Sequence, residues 1–90
     1  MAQTPYNYNN ITTATTTVVK TGVGVLHSIT INTTTAFAIT VYDNTSAAGT
    51  KIATIAASPV IGSTFIYDVA FKTGLTIVTA GASDITVSYQ

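Results

Sequence analysis

The chain has 90 residues, no cysteine, three lysines against three aspartates, and neither arginine nor glutamate. That length sets one domain with a modest core, and the missing thiols exclude a disulfide framework or a thiolate metal site. Three scattered lysines cannot build the basic face that nucleic acid or an acidic membrane requires, so neither is an expected partner.

Charged residues make up 7% of the chain, against about 25% in an ordinary soluble domain. Twenty threonines take over much of the surface. Threonine is β-branched, which suits strands, and its hydroxyl faces water without charge. Zero net charge protects a small monomer poorly against self-association, so the composition favours a subunit partly covered in an assembly. No stretch approaches the roughly 20 apolar residues of a membrane span. The first residues lack a basic region followed by an apolar core, so no secretory signal is expected. Asn10-Ile11-Thr12, Asn32-Thr33-Thr34 and Asn44-Thr45-Ser46 match the glycosylation acceptor pattern, as chance allows in a Thr-rich chain.

Residues 1–10 are polar and carry Pro5, Tyr6 and Tyr8. They read as a flexible N-terminal arm, with residues 11–90 forming the domain. The two tyrosines are candidate partner-binding anchors, because aromatic side chains are enriched in interfaces. Ile11 to Lys20 is β-branched almost throughout, predicting one strand with weak hydrophobic contrast, as at a sheet edge. Gly22 and Gly24 mark a turn or bulge.

The region from Gly24 to Asn44 reads as a β-hairpin. Val25, His27, Ile29 and Ile31 alternate with Leu26, Ser28, Thr30 and Asn32. Past Thr33-Thr34-Thr35, Phe37, Ile39 and Val41 alternate with Ala38, Thr40 and Tyr42. The expectation is that Ile29, Ile31, Ile39 and Val41 share one buried face. No glycine stands in the connection to supply a positive φ.

Asp43 to Thr50 is the clearest loop, with Asp43 starting the turn and Gly49 ending it at positive φ. Lys51 to Ala56 is a short strand, broken by the segment around Pro59. Phe65, Tyr67, Val69 and Phe71 then alternate with Ile66, Asp68, Ala70 and Lys72, so their aromatic face should lid the core. Thr73-Gly74 reads as a tight turn with Gly74 at positive φ. Leu75 to Thr79 and Asp84 to Gln90 are the last strands, around a loop at residues 80–83. Seven or eight short strands with regular turn signals and no helical period predict an all-β fold, a single antiparallel β-sandwich or jelly-roll-like domain. Ile29, Ile39, Val69 and Val87 are its expected core.

Catalytic chemistry is missing from this pattern. His27 is the only imidazole, and its strand neighbour Ser28 should face the other way, which argues against a Ser-His-Asp arrangement. A structural histidine bonded to backbone or to a loop carboxylate fits better. Asp43, Asp68 and Asp84 offer neither the spaced oxygens of a calcium loop nor a paired acid and base, and Asp68 reads as a solvated outward residue. The glycines punctuate turns without forming a phosphate cradle. The expectation is therefore a non-enzyme with no metal or cofactor, and with Tyr6, Tyr8 and Tyr42 as partner-binding candidates. These tyrosines could instead stack on sugars.

Three stretches carry a resemblance: TTVVKTGVGVLHSITIN, ITVYDNTSAAGTKIATI and FIYDVAFKTGLTIVTAGASDITVSY. From about Thr16 onward this wording resembles small all-β structural proteins of tailed bacteriophages, over roughly three quarters of the chain. The resemblance implies a virion component, most simply a capsid decoration or cement protein on the outside of the head. Such subunits bind the major capsid protein, bridge capsomers and commonly sit as homo-oligomers, frequently trimers. It leaves as alternatives a tail or host-attachment module that binds a surface glycan, and a head-completion or tail component.

Overall fold

The structure, a computed structural model, describes residues 5–33 and 37–90. Among these are eight strands and no helix. They are β1 (Asn7–Ile11), β2 (Thr15–Thr21), β3 (Gly24–Thr33), β4 (Ile39–Asp43), β5 (Thr50–Ile55), β6 (Thr64–Phe71), β7 (Gly74–Thr79) and β8 (Asp84–Tyr89). A front sheet has the order β1-β8-β3-β6 and a back sheet the order β2-β7-β4-β5, with every pairing antiparallel. Only β4 and β5 are consecutive strands that pair; every other connection passes from one sheet to the other. That arrangement is the eight-stranded jelly roll.

The expected hairpin of β3 and β4 is therefore not formed, since β3 lies in the front sheet and β4 in the back. The four residues assigned to its buried face are all buried, but they meet across the sandwich. Alternation reports which side of a strand is apolar, and the inner faces of two opposed sheets carry the same signal. Thr34 and Thr35 of the supposed turn lie outside the described residues. The glycine-free wording of that connection was the one hint that no tight hairpin closes there.

The N-terminal reading also changes. Asn7 to Ile11 form an edge strand, paired with β8 from Asn7↔Tyr89 to Ile11↔Ile85. The expected arm over residues 1–10 is thus part strand, and its first four residues lie outside the described ones. Polar composition misled here because an edge strand with one solvated face needs few apolar residues. Ile11 is its inward anchor. The single strand expected over Ile11 to Lys20 is interrupted after Ile11, and β2 resumes as an edge of the back sheet.

The core is filled from the front sheet by Ile11, Leu26, Ile29, Ile31, Phe71, Ile85 and Val87. Ile39, Val41, Ile55, Leu75 and Ile77 fill it from the back. Of the expected core residues, Ile29, Ile39 and Val87 are fully buried, and Val69 is half-buried against the cluster. Phe65, Tyr67 and Phe71 pack on the same cluster, as a lid should.

One irregularity reorders the front sheet. Leu26 and Ser28 pair with Val69 and Ile66 of β6, but with the adjacent residues Tyr89 and Ser88 of β8. One residue is thus inserted in β3 relative to β8, and a further one in β6 relative to β3. The insertions shift the phase of β3, so Leu26 enters the core while His27 turns outward with Ser28. The regular alternation of Val25, His27, Ile29 and Ile31 along β3 is accordingly broken at its middle.

Gly49 has the expected positive φ of 84°, closing the 44–49 loop. Gly74 does not; it begins β7 with ordinary backbone. Its need for glycine is space, because a Cβ would lie 2.9 Å from the Lys20 carbonyl oxygen and 3.0 Å from that of Asn44.

Asp43 does not start its own loop either. Asn44 does so, accepting from Thr45 N at 2.8 Å and donating to the Ala48 carbonyl at 2.8 Å. Asp43 instead accepts from Lys72 N at 3.0 Å and Thr73 N at 2.9 Å, pinning the crossover from β6 to β7. The Thr73 and Lys72 amides lower the Asp43 pKa below the usual 3.8. A depressed folded pKa contributes stability that is present above about pH 4 and is lost as pH falls through the folded value. Asp43→Asn should therefore melt earlier than the parent at pH 7. The gap should close in a pH series of thermal melts as pH falls through the lowered folded value; a constant gap would show that the carboxylate charge is not what holds the turn.

Candidate interaction surfaces

The outer face of the front sheet is uncovered by any other described element, and its side chains form rows across the strands. Register and alternation place Tyr8, Ser88, Ser28 and Ile66 in one outward row. Asn10, Thr86, Thr30 and Thr64 form the next. Asn10 Nδ2 donates to Asp84 at 2.6 Å and to the Ile85 carbonyl at 2.9 Å. Asn32 Nδ2 reaches Asp84 and Thr86 Oγ1, each at 3.0 Å. The Asn10 and Asn32 amides lower the Asp84 pKa. Thr30 and Thr64 hydroxyls meet at 3.1 Å. The asparagines of all three glycosylation-like triplets are thus held by local hydrogen bonds.

At one end of this face lies a ridge assembled from three distant parts of the chain. The Tyr6 ring stacks on His27, with centroids 4.0 Å apart and planes 13° from parallel. His27 Nδ1 meets Asp68 Oδ1 at 2.5 Å. His27 is held by a carboxylate as expected, but one on a strand instead of a loop. It lies on the outer face because the inserted residues turn it there. Asp68, expected to be merely solvated, has a side-chain partner and a positive φ of 51°. Nothing in the local sequence around Asp68 announces this, since its neighbours simply alternate.

The opposite feature is apolar. Where β5 and β6 form the open side of the sandwich, a groove of about 510 Å³ is lined by Ile55, Pro59, Val60, Phe65 and Tyr67 among others, without a charged side chain. Partial burial raises the Tyr67 pKa. Val60 on the groove wall and the next residue, Ile61, are exposed by 75% and 60%, and Ile66, on the outer face of β6, by 66%. Sequence reasoning treated the Pro59 segment only as a strand break. The signal it passed over is the pair of β-branched residues, Val60 and Ile61, in a connection that should be polar.

The candidate tyrosines do not converge. Tyr6 and Tyr8 belong to the front-sheet side, with Tyr8 exposed by 74%, whereas Tyr42 is on β4 in the back sheet. Among the described residues no three His, Cys, Asp or Glu side chains are grouped so as to hold a metal ion. Comparison of the chain with protein-family models, curated proteins and solved structures finds no match.

Proposed function

We propose that this chain is a structural virion protein of a tailed phage, a capsid decoration or cement subunit. In this reading it binds the major capsid protein on the outside of the head as a homo-oligomer, with a trimer favoured, and bridges neighbouring capsid subunits. The observation that carries the reading is the groove between β5 and β6, lined without a charged side chain, with Val60 and Ile61 exposed at it and Ile66 exposed on the outer face of β6. Apolar patches of this kind mark contact surfaces, and few charges there would need to be desolvated on docking. Among the described residues no strand pairs with the outer edge of β6, which offers backbone donors and acceptors to a neighbouring strand. The resemblance of the strand-turn wording to small phage structural proteins prompts the reading. Repetition on a lattice sums weak contacts into firm attachment.

The test is assembly of particles with the parent chain, with Ile66→Asp, or without the chain. The parent should appear on the shell surface by cryo-electron microscopy and raise the temperature at which particles rupture. Ile66→Asp should leave the isolated protein's circular dichroism unchanged while occupancy falls at least about tenfold, because a carboxylate would be buried without a partner. Full occupancy by the variant, or rupture at the same temperature with and without the chain, would sink the reading.

A further inference from the structure

We propose that the outer face of the front sheet carries a binding site for a neutral saccharide. Tyr8 supplies a ring platform and the His27–Asp68 pair the directional hydrogen bonds. The inference goes beyond a virion role and does not depend on it.

The backbone is shaped for this locus. Two residues are inserted across β8, β3 and β6 at His27, and Asp68 holds a left-handed conformation that side-chain-bearing residues seldom adopt. Bulges re-aim side chains, and outliers of this kind gather at ligand sites because surrounding structure must hold them in place. What they aim here is the imidazole. The Tyr6 ring stacks on it and Asp68 holds Nδ1, so its orientation is set from two sides. In the neutral tautomer that donates from Nδ1 to the carboxylate, Nε2 is an acceptor. Nε2 and the other Asp68 oxygen project from opposite ends of the pair, so they accept from hydroxyls set well apart on an extended polyhydroxylated ligand.

Tyr8 provides the second half. It lies on β1, two strand spacings from β3, or about 10 Å. An aromatic face is electron-rich and attracts the polarised C–H groups of a pyranose ring, while the ring edge remains free for hydrogen bonds. Between Tyr8 and the pair lie the half-buried Ser88, whose hydroxyl is open to a ligand, and Ser28, which is buried.

Charge selects the ligand. The front-sheet strands carry Asp68 and Asp84, while Lys20, Lys51 and Lys72 all lie outside them. A phosphorylated, sulfated or sialylated ligand would be repelled, with no cation on these strands to offset the repulsion. A neutral polyhydroxylated one matches the donors and acceptors present.

The test uses the full chain and saturation-transfer NMR with the methyl glycosides of glucose, galactose, mannose and N-acetylglucosamine. A printed array of neutral and acidic oligosaccharides extends it. At least one neutral sugar should bind. Tyr8→Ala and Asp68→Asn should each weaken it about tenfold or more, while Tyr42→Ala on the back sheet should leave it unchanged. Asparagine tolerates the left-handed conformation, so Asp68→Asn removes the charge without forcing the backbone to move. Circular dichroism confirms that each variant is folded. The site is overturned if no neutral sugar binds, if acidic sugars bind better than neutral ones, or if Tyr42→Ala weakens binding as much as Tyr8→Ala.

Discussion

Phe71→Ala is expected to lower the stability of this domain by about 3–5 kcal/mol, the cost of deleting a buried aromatic ring from a packed core. Phe71 ends β6, is 1% exposed, and is the largest of the fully buried side chains. A chain of this length is worth roughly 5–13 kcal/mol in total at ~0.05–0.15 kcal/mol per residue. The loss is therefore a large share of what holds the fold. Since each kcal/mol moves the melting temperature by about 4–8 °C in domains of this size, the fall should be on the order of 20 °C. Thermal melts and urea titrations will read it, with the urea slope unchanged if the native state stays compact. A fall under about 5 °C would mean that neighbouring strands collapse into the space, and that this end of the sandwich is not tightly packed.

Gly24→Ala should also destabilise, by a smaller amount and for the opposite reason. Gly24 pairs with Phe71 across β3 and β6, and a Cβ there would run into the Gln90 carbonyl oxygen and the Phe71 ring. The backbone cannot easily retreat, because Val25 N donates to Gln90 O at 2.9 Å and Gln90 N to Val25 O at 2.8 Å. Overpacking of this kind costs about 1–3 kcal/mol. The two substitutions meet at one place, so they should not add. Removing the Phe71 ring vacates part of the space the new methyl needs, and the double variant should be less destabilised than the sum. Strict additivity in a double-mutant cycle would show that the Gln90 carbonyl alone decides the cost. Gly62 is the contrasting case. Its φ is 85° and no neighbouring atom lies within 4 Å of where an alanine methyl would stand, so only backbone strain opposes alanine there.

The two candidate surfaces divide along the sandwich in a way that suits separate roles. The apolar side at β5 and β6 is where a partner could bury uncharged surface. The ridge and polar rows on the front sheet are wet and directional. Ile66 belongs to β6 and to the outer row of Tyr8, so the two surfaces adjoin. A partner seated over Ile66 would lie beside the saccharide site, and Ile66→Asp and Tyr8→Ala separate the two activities.

Much of the architecture was legible in the chain itself. The all-β class, the inward alternation of β6, the 44–49 loop and the burial of Ile29, Ile31, Ile39, Val41, Phe71 and Val87 follow from period-2 patterning and turn chemistry. Both depend only on residues close in sequence. The partner of β3, the insertions at His27 and the packing role of Gly74 do not. Ile29 and Ile39 would be buried equally as hairpin neighbours in one sheet or as opposed residues in two. Only the crossing of the chain between sheets separates those cases. The ridge is the clearest instance, because His27 and Asp68 stand 41 residues apart and Tyr6 comes from outside β1. Alternation tells each side chain which way to point from its own strand. Which strand lies beside it, and in what register, is settled by the closing of the whole sandwich around one core.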